Sequence, residues 1–431
     1  MLTTVPNLQT ALSGPVPDLE QRILDAQPAI EHWFRTQWQE HPSPFYASVD
    51  LRNSGFKIAP VDTNLFPGGF NNLNPDFTPL CVQAIQSAID KICPEARGLL
   101  LVPESHTRNP YYLRNVATLS TLLRQAGLTV RIGTLIPEIQ APTPLALDDG
   151  RELLLEPLVR TGNRLGVAGF DPCMVLLNND LSGGVPDILR NLEQAVLPPV
   201  EAGWTTRRKS RHFAHYDAVA REFASMLGID PWRINPLFEH CGKINFRQRQ
   251  GEECLEGYVS ELLADIGARY RDHGIDAKPF VIVKADAGTY GMGIMTVRDA
   301  SEVRQLNRDQ RKKMAVVKEG LEVQEVIVQE GVYTHERLDG ANAEPVVYMM
   351  DRYVVGGFYR VHQSRGDDQN LNAPGMNFVP LAFSSACSTP DPGARADAAP
   401  NRFYAYGVIA RLALLAASRE IEELTGAPDP D

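Results

Sequence analysis

The chain has 431 residues, 43% of them hydrophobic and 22% charged, which is long enough for two or three domains with sizeable cores and too apolar for a disordered protein. A formal charge of −11, from 53 acidic against 42 basic residues, argues against a nucleic-acid partner. Met1–Asn7 has no basic segment leading into an apolar core, and the apolar stretch Leu412–Ala417 is far shorter than a membrane span, so a soluble, cytoplasmic protein without a membrane partner is expected. The six cysteines form no C-x-x-C pair and read as reduced, mostly buried thiols.

Residues 16–40 read as one amphipathic helix, and residues 45–74, rich in Asn, Gly and Pro, as an irregular segment. Leu80, Ala84, Ile85, Ala88 and Ile89 carry helical spacing over 78–93. Next come a buried strand at 98–102, a helix at 110–126, a strand at 128–132 and another buried strand at 172–178, an alternation that predicts a parallel α/β sheet. The last of these strands runs into Asn178-Asn179-Asp180, polar residues at the strand end where such sheets bind ligands. A second region begins near 200, and the division expected is 1–205 and 206–431. Its predicted elements are helices at 210–228 and 253–273, a hairpin over 280–297, a helix over 299–316 capped by Asp299 or Ser301, and a strand at 323–329. A hairpin of 345–350 and 353–362 turns at Asp351-Arg352. After it come a polar loop at 364–376, a strand at 377–383, a Pro/Asp/Ala-rich loop at 388–401 and a helix at 402–424. The basic run Arg207, Arg208, Lys209 and Arg211 is too short for a nucleic-acid footprint and reads as a cleft wall or solvated turn.

The hairpin at 280–297 carries the chemistry. Lys284 ends a β-branched run, and a loop with Gly288, Tyr290, Gly291 and Gly293 leads into a second run. Glycines let backbone N–H groups approach phosphate oxygens in conformations barred to other residues, and at ~4 Å a lysine–phosphate pair is worth roughly 4 kcal/mol at an intermediate dielectric. A tight hairpin with glycines at positive φ is the plain alternative. Further features favour ATP. Val326–Glu330 is a buried strand ending in a polar loop, where backbone groups suit an adenine and the Glu330 carboxylate suits ribose hydroxyls. Arg360 stands among apolar neighbours and needs an anionic partner. Asn370 and Asn372 add neutral ligands, and Asp286, Glu330 and Asp351 are carboxylates for Mg²⁺. In the N-terminal half, Arg52 or Arg108 suits a substrate carboxylate and Asp62 an ammonium group, among Asn53, Asn64, Asn71 and Asn72. Asx-turns are the plain reading of those side chains, and His106 reads as structural.

This order of strand, lysine, glycine flap, hinge strand, arginine strand and asparagine loop resembles the ATP-grasp superfamily over roughly 210–385, particularly carboxylate–amine ligases such as glutathione synthetase. The run from Ser48 to Leu73 (with Arg52-Asn53, Gly55-Phe56-Lys57, Pro60, Asp62, Asn64 and Asn71-Asn72), Pro103–Asn109 and Thr206–Phe213 is similar to the proteobacterial glutamate–cysteine ligase family with an ATP-grasp-like fold. That resemblance extends over nearly the whole chain. It implies an α/β protein, with an N-terminal α/β substrate domain followed by an ATP-grasp-like domain. It also implies ATP and Mg²⁺ as cofactors and L-glutamate and L-cysteine as partners, joined through γ-glutamyl phosphate. In that scheme Lys284, Arg360 and Asn372 are catalytic. Lys284, Gly288, Tyr290, Gly291 and Gly293 hold phosphates, and Gln329 and Glu330 hold the nucleoside. Arg52, Asn53, Asp62, Asn64, Asn71 and Arg108 bind substrate. The Glu-x-Asn metal motif of the better-known relatives is missing after Asn372, so the metal falls to Glu330, Asn370 and Asn372. The alternatives are another ATP-grasp ligase, such as glutathione synthetase, and a nucleotide-binding regulator without turnover.

Overall fold

A computed structural model gives the structure of residues 15–105, 108–288, 293–316, 322–380 and 403–426. Its centre is built from the segment that reads as irregular. Tyr46–Asn53 alternates Ala47, Val49 and Leu51 with Tyr46, Ser48, Asp50 and Arg52, the period-2 pattern of a strand with two different faces. It pairs antiparallel with Ile58–Asn64, so part of the expected irregular stretch 45–74 is a β-hairpin.

This hairpin supplies two strands of a six-stranded antiparallel sheet in the order Asn377–Pro380, Tyr353–His362, Ala341–Met350, Tyr46–Asn53, Ile58–Asn64, with Arg337–Leu338 also paired to Ala341–Met350. The central sheet therefore draws strands from both sides of residue 205. One face, with Val49, Leu51, Ala343, Val347, Met349, Tyr359 and Val361, packs on the helix Phe403–Thr425, which is buried on all sides through most of its length. The other face is apolar at one end, where Tyr46, Val346, Tyr348, Met350 and Phe358 join a core with helices Thr78–Ile92 and Pro110–Gln125. At its other end the same face carries Asp50, Arg52, Glu344 and Arg360. The register pairs Asp50 with Asp62 but Leu51 with Pro60, which leaves Val61 as an extra residue, a β-bulge.

A second sheet is parallel through Ala195–Leu197, Met174–Asn178, Gly98–Pro103, Thr129–Thr134 and Glu152–Pro157, with Thr143–Ala146 antiparallel at its edge. The expected α/β alternation is present, and both faces of Gly98–Pro103 are buried. A third, antiparallel sheet orders Phe238–Cys241, Val326–Glu330, Val281–Ala285 and Ile294–Val297, backed by helix Glu252–Asp272.

Two long helices expected from periodicity are divided. Pro15–Asp25 and Gln27–Glu40 break at Ala26, because Pro28 in the first turn of the second helix suits a start and not an interior. Over 299–316, Ala300–Val303 and Arg308–Met314 each have their own capping box, Asp299 with Glu302 and Asn307 with Gln310, so a second start is written into the middle of the segment. The strand expected at 377–383 is present over Asn377–Pro380, and its last three residues and the loop expected at 388–401 lie outside the described residues.

The C-terminal helix is tied to the rest by a buried ion cluster. Arg207 donates from Nε and Nη2 to the two oxygens of Glu420 at 3.0 and 3.1 Å and from Nη1 to the Thr63 carbonyl at 2.8 Å. His212 Nδ1 lies 3.0 Å from Glu420 Oε2. Burial pushes the Glu420 carboxyl upward, but Arg207 and His212 outweigh it and hold the group at about 2. Since the folded value lies below the ordinary one, its contribution is fully present above the usual carboxylate range and is lost as pH falls towards 2. Glu420→Gln leaves the Arg207 guanidinium buried beside a neutral group. At pH 7 it is predicted to lower the unfolding free energy by about 3–5 kcal/mol in urea denaturation. A loss much smaller than that would show that the cluster does not hold the helix.

Candidate active site

The polar end of the central sheet faces the third sheet across an open cleft. Asp50, Arg52, Asp62, Glu344 and Arg360 line it from the central sheet, and Ile282, Lys284, Ile294 and Gln329 from the third. Lys209, Gly288, Asn370 and Asn372 line it as well. Gly288 has φ +99° and Gly293 φ +62°, so both ends of the loop use left-handed backbone that favours glycine.

Lys284 Nζ donates to the Val61 carbonyl at 2.6 Å, the residue that the bulge frees from the ladder. Burial pushes its ammonium down to about 8; Asp62 opposes that shift and Lys209 adds to it. Lys209 Nζ donates to Asp62 Oδ1 at 2.8 Å and sits 4.3 Å from the Trp204 ring centre. Burial pushes the Asp62 carboxyl up, yet Lys209 and Lys284 outweigh it and hold the group well below the usual range. Arg360 Nη1 donates to Asp50 Oδ2 at 2.8 Å and to Glu344 Oε1 at 2.6 Å. Burial disfavours its charge, but the two carboxylates more than compensate, and it stays protonated. Its Nε is buried without a partner among the described residues, as is Gln329 Nε2. Arg52 Nε donates to Glu344 Oε2 at 2.9 Å, so Glu344 bridges the two arginines.

Of the residues expected from sequence, Arg52, Asp62, Lys284, Gly288, Gln329, Glu330, Arg360, Asn370 and Asn372 line this cleft. Tyr290, Gly291 and His106 lie outside the described residues. Several expected roles need correction. The Glu330 carboxylate is committed to Lys57 Nζ at 2.8 Å, Trp232 Nε1 at 3.2 Å and the Leu237 N–H at 2.9 Å, which removes it from ribose or metal binding. Asn53 and Asn64 make Asx-turns to the N–H groups of Gly55 and Phe66, and Asn53 also donates to Tyr406 Oη. Asn71 donates to Asn72, and Arg108 is exposed; neither lines the cleft. Asp286 takes the Ser210 N–H and hydroxyl at the start of helix Lys209–Leu227, and Asp351 takes Ser87 and Lys91 at the far hairpin turn.

Sequence reasoning missed Asp50, Glu344 and Lys209. The first two were signalled by alternation with Val49 and Leu51 and with Ala343. Lys209 was hidden in a basic run whose other members turn elsewhere, Arg207 to Glu420 and Arg208 to Glu325. A hard divalent cation prefers oxygen ligands and phosphate. Asp50 and Asp62 each give one oxygen to a cation, leaving Asp50 Oδ1 and Asp62 Oδ2, with the Asn370 and Asn372 amides in the same cleft, as a donor set that fits Mg²⁺. His240, Asp286 and Glu325 cluster elsewhere, but their carboxylates are already engaged by Ser210 and Arg208. No described helix is long and apolar enough to cross a membrane.

Residues 20–421 match the family described as GshA, glutamate-cysteine ligase. Among solved structures, one described as "Putative gamma-glutamylcysteine synthetase" from Methylobacillus flagellatus KT is 66% identical over 98% of this chain and 99% of its own, with a TM-score of 0.89. D-alanyl-alanine synthetase A from Vibrio cholerae is 10% identical over 73% of this chain and 81% of its own, with a TM-score of 0.35. A glutathione synthetase-like effector from Globodera pallida is 10% identical over 83% of each chain, with a TM-score of 0.40. No curated protein sequence matches.

An amine held near 8 by burial is driven to its charged form by a polyphosphate. ATP binding at pH 8 is therefore predicted to take up protons and to weaken as pH rises further. Calorimetry in buffers of different ionisation enthalpy measures the uptake. If Lys284→Met leaves it unchanged, the assignment to Lys284 fails.

Proposed function

The chain belongs to the glutamate–cysteine ligase family, and we propose that its cleft activates the γ-carboxylate of L-glutamate with ATP and passes the acyl group to the amine of L-cysteine. The observation that carries this reading is the convergence of Lys209, Lys284 and Arg360 on one cleft between a glycine hairpin and a charged sheet face. It suits the transfer of a phosphoryl group, whose catalysis rests on positioning and charge stabilisation and not on a nucleophilic side chain. The facing sheets and the glycine hairpin also agree with the ATP-grasp-like arrangement that the motif order implies.

In this reading Lys284 and Lys209 hold phosphate oxygens of ATP. Arg360, locked by Asp50 and Glu344 so that its Nε is left for a ligand, stabilises charge on the transferring group. Gln329 offers its unpartnered amide donor to the base. Asp50 and Asp62, with the Asn372 amide, would hold Mg²⁺, which would neutralise phosphate charge. The γ-carboxylate then attacks the γ-phosphorus, its P–O bond to ADP breaks, and the cysteine amine displaces phosphate from the resulting acyl phosphate. A reducing cytoplasm suits the described cysteines, none of which forms a disulfide.

Purified protein given ATP, Mg²⁺, glutamate and cysteine is predicted to release ADP with γ-glutamylcysteine. With hydroxylamine in place of cysteine it should form γ-glutamyl hydroxamate, the signature of an acyl phosphate. Arg360→Gln should lower kcat by roughly 10²–10³. ATP binding with no ADP release for any amino-acid pair would instead favour a regulator, and preference for γ-glutamylcysteine plus glycine a glutathione synthetase.

A further inference from the structure

Arg52 reads from sequence as a grip for a substrate carboxylate, but its hydrogen bonds go elsewhere. Nε donates to Glu344 at 2.9 Å, Nη1 to the carbonyls of Val332 at 3.0 Å and Asp367 at 3.5 Å, and Nη2 to the carbonyl of Gln369 at 2.5 Å. A guanidinium has five N–H groups, and these contacts leave one, on Nη2. Three of its acceptors are main-chain oxygens, and two of those belong to the loop that carries Asn370 and Asn372.

The same loop has further tethers to the same sheet face. Asn342 Nδ2 donates to the Arg365 carbonyl at 2.6 Å, and His362 Nε2 lies 3.1 Å from the Pro374 carbonyl. Asn342 and His362 are register partners, and Glu344, which Arg52 holds, is paired with Arg360. Within the loop the Asn372 N–H closes on Asn370 Oδ1 at 2.9 Å. The loop is thus fastened before and after its asparagines by side chains from three adjacent strands. Arg52 is the tether closest in sequence to the asparagines, and it is also bonded to the carboxylate that orients Arg360.

We infer that Arg52 is a positioning residue: it clamps the 364–376 loop onto the central sheet so that Asn370 and Asn372 face the ATP phosphates, and it does not bind glutamate. A rigid fork suits this task, since planar donors at fixed angles reach several carbonyls at once where a lysine reaches one or two. Its kinetic consequence rests on the ligase reading above; the state of the clamp does not.

Arg52→Lys in the full chain tests the clamp in two independent ways. Tryptic cleavage after Arg365, an exposed side chain on the clamped loop, is expected to accelerate, as followed by mass spectrometry of that one bond. The kinetic expectation is a loss of roughly 10²-fold in kcat/KM for ATP, the scale of a small misplacement of catalytic groups, with KM for glutamate little changed. A large rise in KM for glutamate with Arg365 still protected would overturn the inference in favour of a substrate grip. Unchanged cleavage and unchanged kinetics would overturn it too. If no ligase activity exists in the parent, the proteolytic arm still decides the clamp while the functional reading falls. If Arg52→Lys does not fold, Asn342→Ala, which removes only the tether at Arg365, must accelerate the same cleavage, and protection there counts against the clamp.

Discussion

Burying cations around one cleft requires that carboxylates be buried with them, and this constraint organises the site. An isolated charge inside a protein is too costly to keep, so each cation of the cleft is held by an anion or a carbonyl on a neighbouring strand. Glu344 stands between Arg52 and Arg360, Asp50 takes the other side of Arg360, and Asp62 holds Lys209 beside Lys284. With the Lys57–Glu330 pair self-contained, the cations Arg52, Lys209, Lys284 and Arg360 exceed the carboxylates Asp50, Asp62 and Glu344 by one. The cleft is therefore a positive site made from mostly cancelled charges within a protein of net charge −11. Such a site attracts a polyanion without depending on the field of the whole molecule.

The pairing also explains the fold around the cleft. Alternation along Tyr46–Asn53 and Ala341–Met350 sends apolar side chains to the buried C-terminal helix and charged ones to the opposite face. A slip of one residue in register would bury the charges under the helix and empty the cleft, so the packing of one face specifies the chemistry of the other. The bulge at Val61 is the local exception. It gives up a ladder position and thereby supplies the carbonyl that Lys284 uses.

Much of this was legible in the sequence, and what was not has physical reasons. The hairpin with Lys284 and the hairpin with Arg360 announce themselves because β-branched runs bounded by glycine or by Asp351-Arg352 have few other ways to fold. The parallel sheet follows from its alternation with helices. The segment 45–74 failed because its Asn, Gly and Pro content outweighed a short period-2 pattern, and that error hid Asp50 along with the strand. Glu330 failed for another reason. Its place at the end of a buried strand was read correctly, but which side a carboxylate turns to depends on Lys57 and Trp232, whose proximity is tertiary. Arg52 was recognised as a cleft residue, but the acceptors that occupy it lie some 280 to 317 positions away in the chain.

Those separations bear on how the molecule is made. Tyr46 is the register partner of Met350, and the face of their strands that carries Val49 and Val347 rests on the helix beginning at Phe403. During synthesis from the N terminus, the hairpin of 46–64 stays without its neighbouring strand until some 300 further residues have left the ribosome, with its charged and apolar faces both uncovered. The parallel sheet and the third sheet are complete earlier, and each has its own helices to pack against. A chain with such distant pairings closes its central sheet late, after the flanking units have formed, and contacts of this kind slow folding. The strands that hold the cleft together are among the first made and the last joined.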